Sequence, residues 1–199
     1  MCIGLKYLRL VDFPEQYHAE IAMFRALKSL SVKRWPWLLL ALTALLLLAT
    51  GLYFQYSLNY QPCIKCIYVR AAFAGVLLAA ILVACAPRQS LLRIMGILAW
   101  LAAAIYGTLQ AQELVNIEQI LASGGFTTCA LFADFPAWLA LDKWFSAVFA
   151  VTGTCGGVDW QFVGFTMAEW SRFILAAYAL VGLLVLFSQF TKPNKNPYM

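Results

Sequence analysis

The four longest stretches of this chain without Asp, Glu, Lys or Arg are 35–64, 71–87, 94–112 and 173–191. A helix that crosses a bilayer needs roughly 17–25 predominantly apolar residues, and in lipid its backbone groups must be satisfied within the segment. Each stretch is long enough to cross once. The pattern predicts spans at about 36–56, 67–86, 94–112 and 173–191. The second takes in Arg70 near its start, where a long side chain can snorkel to the interface. The polar segments are then 1–34, a short loop at 57–66, a turn around Arg88, a long loop at 113–172 and a tail at 192–199. The fold class is an all-α membrane protein, an antiparallel four-helix transmembrane bundle formed by residues 35–191.

Composition agrees. Of 199 residues, 63% are hydrophobic and 12% charged, against about 25% charged in a soluble domain. With four spans both termini share a side. That side carries Lys6, Arg9, Arg25, Lys28, Lys33, Arg34, Arg88, Arg93, Lys192 and Lys195, and the other only Lys65, Arg70, Lys143 and Arg172. The positive-inside rule puts the termini in the cytoplasm and the 57–66 and 113–172 loops outside. The net charge of +5 is mostly this bias; it calls for no nucleic acid.

The N-terminal segment is no cleavable signal peptide, because the apolar run from Trp37 starts late, is too long and leads into further spans. Ile21, Phe24, Leu27 and Leu30 fall at helical spacing, which suits either a short helix on the inner membrane surface or a mobile tail. In the long loop, Trp138, Leu141, Phe145 and Val148 repeat at 3–4 spacing within 135–149. That predicts either a short interfacial helix, aromatic side chains favouring the headgroup level, or a loop helix packed on the bundle. Glycines bracket the loop's cysteines: Gly124 and Gly125 precede Cys129, and Gly153, Gly156 and Gly157 surround Cys155.

The cysteines carry the chemistry. Cys63 and Cys66 form a C-x-x-C at the start of the second span, one helical turn apart, where the helix dipole favours a thiolate. Arg70 follows on the same face and can donate hydrogen bonds to a bound oxygen. On their own these two fit either a redox pair or a static disulfide. Cys129 and Cys155, 26 residues apart, fit an inert structural disulfide equally well. If both pairs face the same side, electrons can pass between them by thiol–disulfide exchange. Cys85, within the second span, reads as a small core residue, and Cys2 as a bystander on the reducing side. Other chemistries fit poorly. Zinc wants a second closely spaced ligand pair, covalent haem wants His where Ile67 stands, and His18, the only histidine, lies in the cytoplasmic segment. No metal site is expected.

The segment Pro62-Cys63-Ile64-Lys65-Cys66-Ile67-Tyr68-Val69-Arg70 resembles the P-C-x-x-C-x-Y-x-R signature of the bacterial DsbB family. Phe126-Thr127-Thr128-Cys129, Leu139-Ala140-Leu141-Asp142-Lys143-Trp144 and Gly153-Thr154-Cys155 resemble further family segments, in the same order. The resemblance covers the chain from about Met23, so residues 1–22 are expected to be dispensable. It implies an inner-membrane enzyme that reoxidises the periplasmic thioredoxin-fold oxidase DsbA and passes the electrons to ubiquinone or menaquinone. It also implies the disulfides Cys63–Cys66 and Cys129–Cys155. Cys129 would form the mixed disulfide with DsbA, Cys155 would exchange with Cys63, and Cys66 would react with the quinone beside Arg70. Val69 stands where close relatives have an acid, and a histidine that they carry after the third span is replaced near Leu114, with Glu113 beside it. Alternatives are a DsbI-like or vitamin-K-epoxide-reductase-like enzyme serving another thioredoxin-like partner. From a different class comes a transporter or scaffold with structural disulfides, although the spans lack the acids a transporter would favour.

Overall fold

The computed structural model describes residues 23–24, 26–129, 135, 140–156 and 160–190. Four long helices run alternately up and down: α1 (Arg34–Ser57), α2 (Ile64–Cys85), α3 (Ser90–Ala122) and, last in the chain, α6 (Met167–Phe190). All four are long and apolar enough to span a membrane. Between α3 and α6 lie two single-turn helices, α4 (Leu141–Trp144) and α5 (Ser146–Phe149), and a hairpin of β1 (Gln161–Phe162) with β2 (Phe165–Thr166). The antiparallel four-helix bundle expected from the charge-free stretches is the architecture found.

In lipid, helices gain little by hiding large apolar groups from one another, so close backbone approach through small residues matters more. Ala44, Ala79, Ala80 and Ala104 are buried, while Leu42, Leu45, Leu78 and Leu82 point outward. At the junction of three helices Gly107 of α3 has no room for a side chain. A Cβ there would lie 2.5 Å from Ala72 of α2 and 2.9 Å from Leu175 of α6. Trp37 of α1 and Trp100 of α3 meet edge to face, with ring centroids 6.1 Å apart.

At the end of the bundle away from the cysteine pairs, a polar clasp joins three parts of the chain. Arg93, buried in the first turn of α3, donates from Nε to Gln189 Oε1 at 2.9 Å and from Nη1 to the Pro87 carbonyl at 2.9 Å. Gln189 donates to Ser31 Oγ at 3.2 Å, and the Trp37 indole donates to the Ser31 carbonyl at 2.8 Å. Residues 26–31 are helical, in keeping with the spacing of Leu27 and Leu30; Ile21 and His18 lie outside the described residues, as does Cys2.

Several boundaries differ from expectation. α2 begins at Ile64 rather than 67, because Cys63 caps it. α3 continues ten residues past the charge-free stretch, to Ala122, with Leu114 and Val115 turned into the bundle. α6 begins at Met167 rather than 173, because Thr166 and Glu169 form a reciprocal capping box. The Thr166 amide donates to Glu169 Oε2 at 2.9 Å and the Glu169 amide to Thr166 Oγ1 at 3.3 Å. Among the described residues of 135–149 no single helix is found. Two separate turns break at Phe145 (φ −132°, ψ 57°), and Trp138 lies outside the described residues. The second turn is held to the bundle instead: Tyr56 donates to the Ala147 carbonyl at 2.7 Å and Arg70 to that of Val148 at 3.1 Å. Cys85, expected in the core, is exposed on the outer surface of α2.

Candidate functional site

Pro62 ends the loop after α1 and cannot donate a backbone bond. Cys63 follows as N-cap of α2, and its sulfur accepts the amide proton of Cys66 at 3.3 Å. The helix therefore begins on the sulfur itself, where its unsatisfied N–H groups stabilise negative charge. The two sulfurs lie 2.7 Å apart. The Cys66 thiol donating to the Cys63 sulfur, helped by the backbone N–H groups of Cys66 and Lys65, holds Cys63 below the ordinary thiol range against the opposing effect of burial. Iodoacetamide is thus expected to alkylate Cys63 of the reduced protein with a pH midpoint below that of an unperturbed thiol. Cys66→Ala should raise the midpoint; no change would exclude the sulfur–sulfur hydrogen bond as its cause.

Cys129 and Cys155 are joined in a disulfide with Cα atoms 6.0 Å apart. Cys155 is buried at 8% exposure and Cys129 is half-buried, beside the fully exposed ring of Phe126. The accessible sulfur of this pair is therefore Cys129. Cys155 is brought to the C-x-x-C by main-chain bonds. The amides of Thr152 and Gly153 both donate to the Pro62 carbonyl, at 3.1 and 3.0 Å. Gly153 is required by that approach, since a Cβ there would overlap the Gln61 carbonyl. As a result Cys63, Cys66, Cys129 and Cys155 share one apolar cluster with Leu114, Val115 and Ala168. All four cysteines singled out from the sequence come together here.

Arg70 lies one turn beyond Cys66. It donates from Nη1 to Gln55 Oε1 at 2.6 Å and to the Val148 carbonyl, and from Nη2 to the Gly51 carbonyl at 2.9 Å. A guanidinium has five N–H groups, so Nε–H and one hydrogen of Nη2 stay uncommitted among the described residues. Cys63, Cys66 and Arg70 wall a cavity of about 220 Å³ between the four long helices, with Phe54, Val69 and Leu114 among its apolar sides. Val69 and Leu114 thus face the cavity as apolar groups. Glu113 points elsewhere, into an ion pair with Lys65.

Three features escaped the sequence reading. Glu118 reaches the cavity wall from the extension of α3. Trp160 and Trp170 line it as well, in an aromatic series in which Trp160 packs on Phe54 at 5.1 Å and on Phe162 at 6.1 Å. The signals were present in Thr166-x-x-Glu169 and in the 3–4 spacing of Leu114, Ile117 and Leu121.

A four-span membrane bundle that gathers two cysteine pairs beside a cavity defines a class, the membrane thiol–disulfide oxidoreductases. Comparison with known proteins narrows it. The family described as disulfide bond formation protein DsbB matches residues 33–185. A disulfide bond formation protein B from Yersinia enterocolitica is 44% identical over 174 residues, covering 87% of this chain and 97% of the relative. Those from Photorhabdus laumondii and Histophilus somni are 45% and 39% identical, over 84% and 85% of this chain and 98% and 94% of the relatives. This chain belongs to the DsbB family of disulfide bond formation proteins.

Proposed function

We propose that this protein takes electrons from a periplasmic thioredoxin-fold dithiol oxidase of the DsbA type and delivers them to a membrane quinone. The observation that carries this reading is the single cluster of all four cysteines, with one pair on the cavity wall and the other reaching the surface at Cys129. The dithiol of the partner attacks Cys129, the accessible sulfur, and Cys155 leaves as a thiolate. Cys155 is stitched beside Cys63 and attacks it. Cys66 is released as a thiolate at the cavity wall next to Arg70. The partner's second thiol then displaces Cys129 from the mixed disulfide, and the freed Cys129 attacks Cys155, which re-forms the outer disulfide and leaves the inner pair as a dithiol. Each exchange breaks one S–S bond and forms another, so the electron pair moves inward without a free intermediate.

The cavity suits a quinone headgroup. Its walls are mostly apolar, and Arg70 keeps N–H groups for a carbonyl oxygen. Its volume falls below the roughly 300–1,000 Å³ of pockets that enclose a whole drug-sized ligand, so an isoprenoid tail would lie in lipid. When bound, a quinone supplies a two-electron, two-proton acceptor. That acceptor matters because a DsbA-type oxidase, at about −120 mV, is reoxidised downhill by few thiol couples. The distribution of lysine and arginine favours the orientation with both termini cytoplasmic and the cysteine end periplasmic. Residues 35–191 would form the working unit.

The experiment is oxidation of a purified, reduced thioredoxin-fold dithiol oxidase by the purified protein, with and without quinone. Quinone-dependent catalytic oxidation is expected, and a purely stoichiometric exchange would sink the reading. Arg70→Lys keeps the charge but loses the planar donor fork. It should raise the apparent KM for quinone about tenfold, at roughly 1.4 kcal/mol for a charge-assisted hydrogen bond. An unchanged KM would remove Arg70 from the quinone site.

A further inference from the structure

Closing the Cys63–Cys66 disulfide breaks two S–H bonds, forms one S–S bond and releases two electrons and two protons. Reducing a quinone to a quinol forms two O–H bonds from the same count. The electrons have an obvious path, but the protons must cross a cavity with largely apolar walls. Among the groups facing that cavity, Arg70 cannot give up a proton, and the side chains from α1, including Thr50 and Phe54, do not titrate in the working range. Tyr60 brings a phenol rather than a carboxylate, and Cys63 and Cys66 are the proton source. Glu118 is the one carboxylate on the cavity wall among the described residues.

Its setting is specific. Thr166 Oγ1 accepts the Glu169 amide and so has its single hydroxyl proton free to donate, which it gives to Glu118 Oε2 at 2.8 Å. That bond fixes one oxygen of the carboxylate. Glu118 has no ion-pair partner among the described residues, in contrast to Glu113, which is held by Lys65. Glu169 lies behind the same threonine, bonded to the Thr166 amide. A half-buried carboxylate anchored through one oxygen, with its other oxygen left for a passing proton, is the arrangement expected of a proton acceptor and donor.

We propose that Glu118 is the proton carrier of the cavity: its carboxylate takes a proton leaving the Cys63–Cys66 thiols and returns it to a quinone oxygen. The inference rests on the quinone-reducing function proposed above. The test compares wild type, Glu118→Gln and Glu118→Asp in turnover with a short-chain quinone analogue across pH. Quinone binding is followed separately by quenching of Trp160 and Trp170 fluorescence. Glu118→Gln keeps the acceptor for Thr166 but carries no exchangeable carboxyl proton. It should lower kcat about tenfold or more, flatten the acid limb of the pH profile and leave quinone binding unchanged, while Glu118→Asp recovers part of the rate. An infrared difference spectrum between oxidised and reduced protein should contain a carboxyl carbonyl band that Glu118→Gln removes. A Gln variant with wild-type kcat and pH profile, or a difference spectrum that the substitution leaves intact, overturns the proposal alone. A wild type that exchanges disulfides with its partner yet reduces no quinone overturns it together with the function on which it rests.

Discussion

Replacing any one of Cys63, Cys66, Cys129 or Cys155 by Ser is expected to reduce quinone-coupled oxidation of a thioredoxin-fold partner to background. In the proposed relay the four act in series, so the loss of one should cost about as much as the loss of all. The variants should nevertheless fail at different steps. Cys129→Ser removes the accessible sulfur, so the partner is no longer captured, yet the inner pair should still pass electrons to quinone when reduced by a small dithiol. Cys66→Ser leaves Cys63 able to form a lasting bond with Cys155 and should accumulate that species on a non-reducing gel. Cys85→Ser should be indistinguishable from wild type, because Cys85 lies on the outer surface of α2 at the opposite end from the cavity. Full turnover by Cys129→Ser would end the two-pair mechanism.

The second large effect is expected from a residue with no side chain. Gly153→Ala adds one methyl where the Gln61 carbonyl already stands, and main chain on both sides leaves it nowhere to go. The loop must lift, and the two bonds to Pro62 go with it. A displacement of about 1 Å between reacting groups can cost on the order of 100-fold in rate. Transfer from the outer to the inner pair should therefore slow by roughly that factor, while capture of the partner at Cys129 stays near normal. Stopped-flow measurement of the two steps separates them. A Gly153→Ala protein with an unslowed second step would show that the loop is not positioned by this contact.

Much of the bundle was legible because lipid imposes a coarse rule: a charge-free stretch of the right length must be a helix. The rule is silent about where helices end once they leave the membrane. The 113–122 segment holds Glu113 and Glu118 and so reads as loop by polarity, although its Gln, Glu and Leu residues are good helix formers. Taking it as loop also hid Glu118, which reaches the cavity only because α3 continues. The start of α6 depended on the side chains of Thr166 and Glu169, a local signal that polarity counting passes over. The turns at 141–149 depended on Tyr56 and Arg70, residues some 80 to 90 positions earlier in the chain. The cysteines themselves were recognisable by type and order, but their convergence was not: it rests on Pro62 meeting the amides of Thr152 and Gly153.

Those two amides also set how readily the loop lets go. At about 0.5–1.5 kcal/mol net for each hydrogen bond, releasing the loop from Pro62 costs roughly 1–3 kcal/mol. The detached arrangement is then populated at between about one molecule in six and one in 150. The segment that carries Cys155 can thus leave Cys63 and dock beside it again without any melting of the helices, which the clasp around Arg93 and Gln189 secures at the far end. Amide hydrogen exchange at Thr152 and Gly153 should show protection of only about 5- to 150-fold, against far slower exchange in the middle of α2 and α3. Protection matching that of the helix cores would mean that the loop opens only when the protein unfolds.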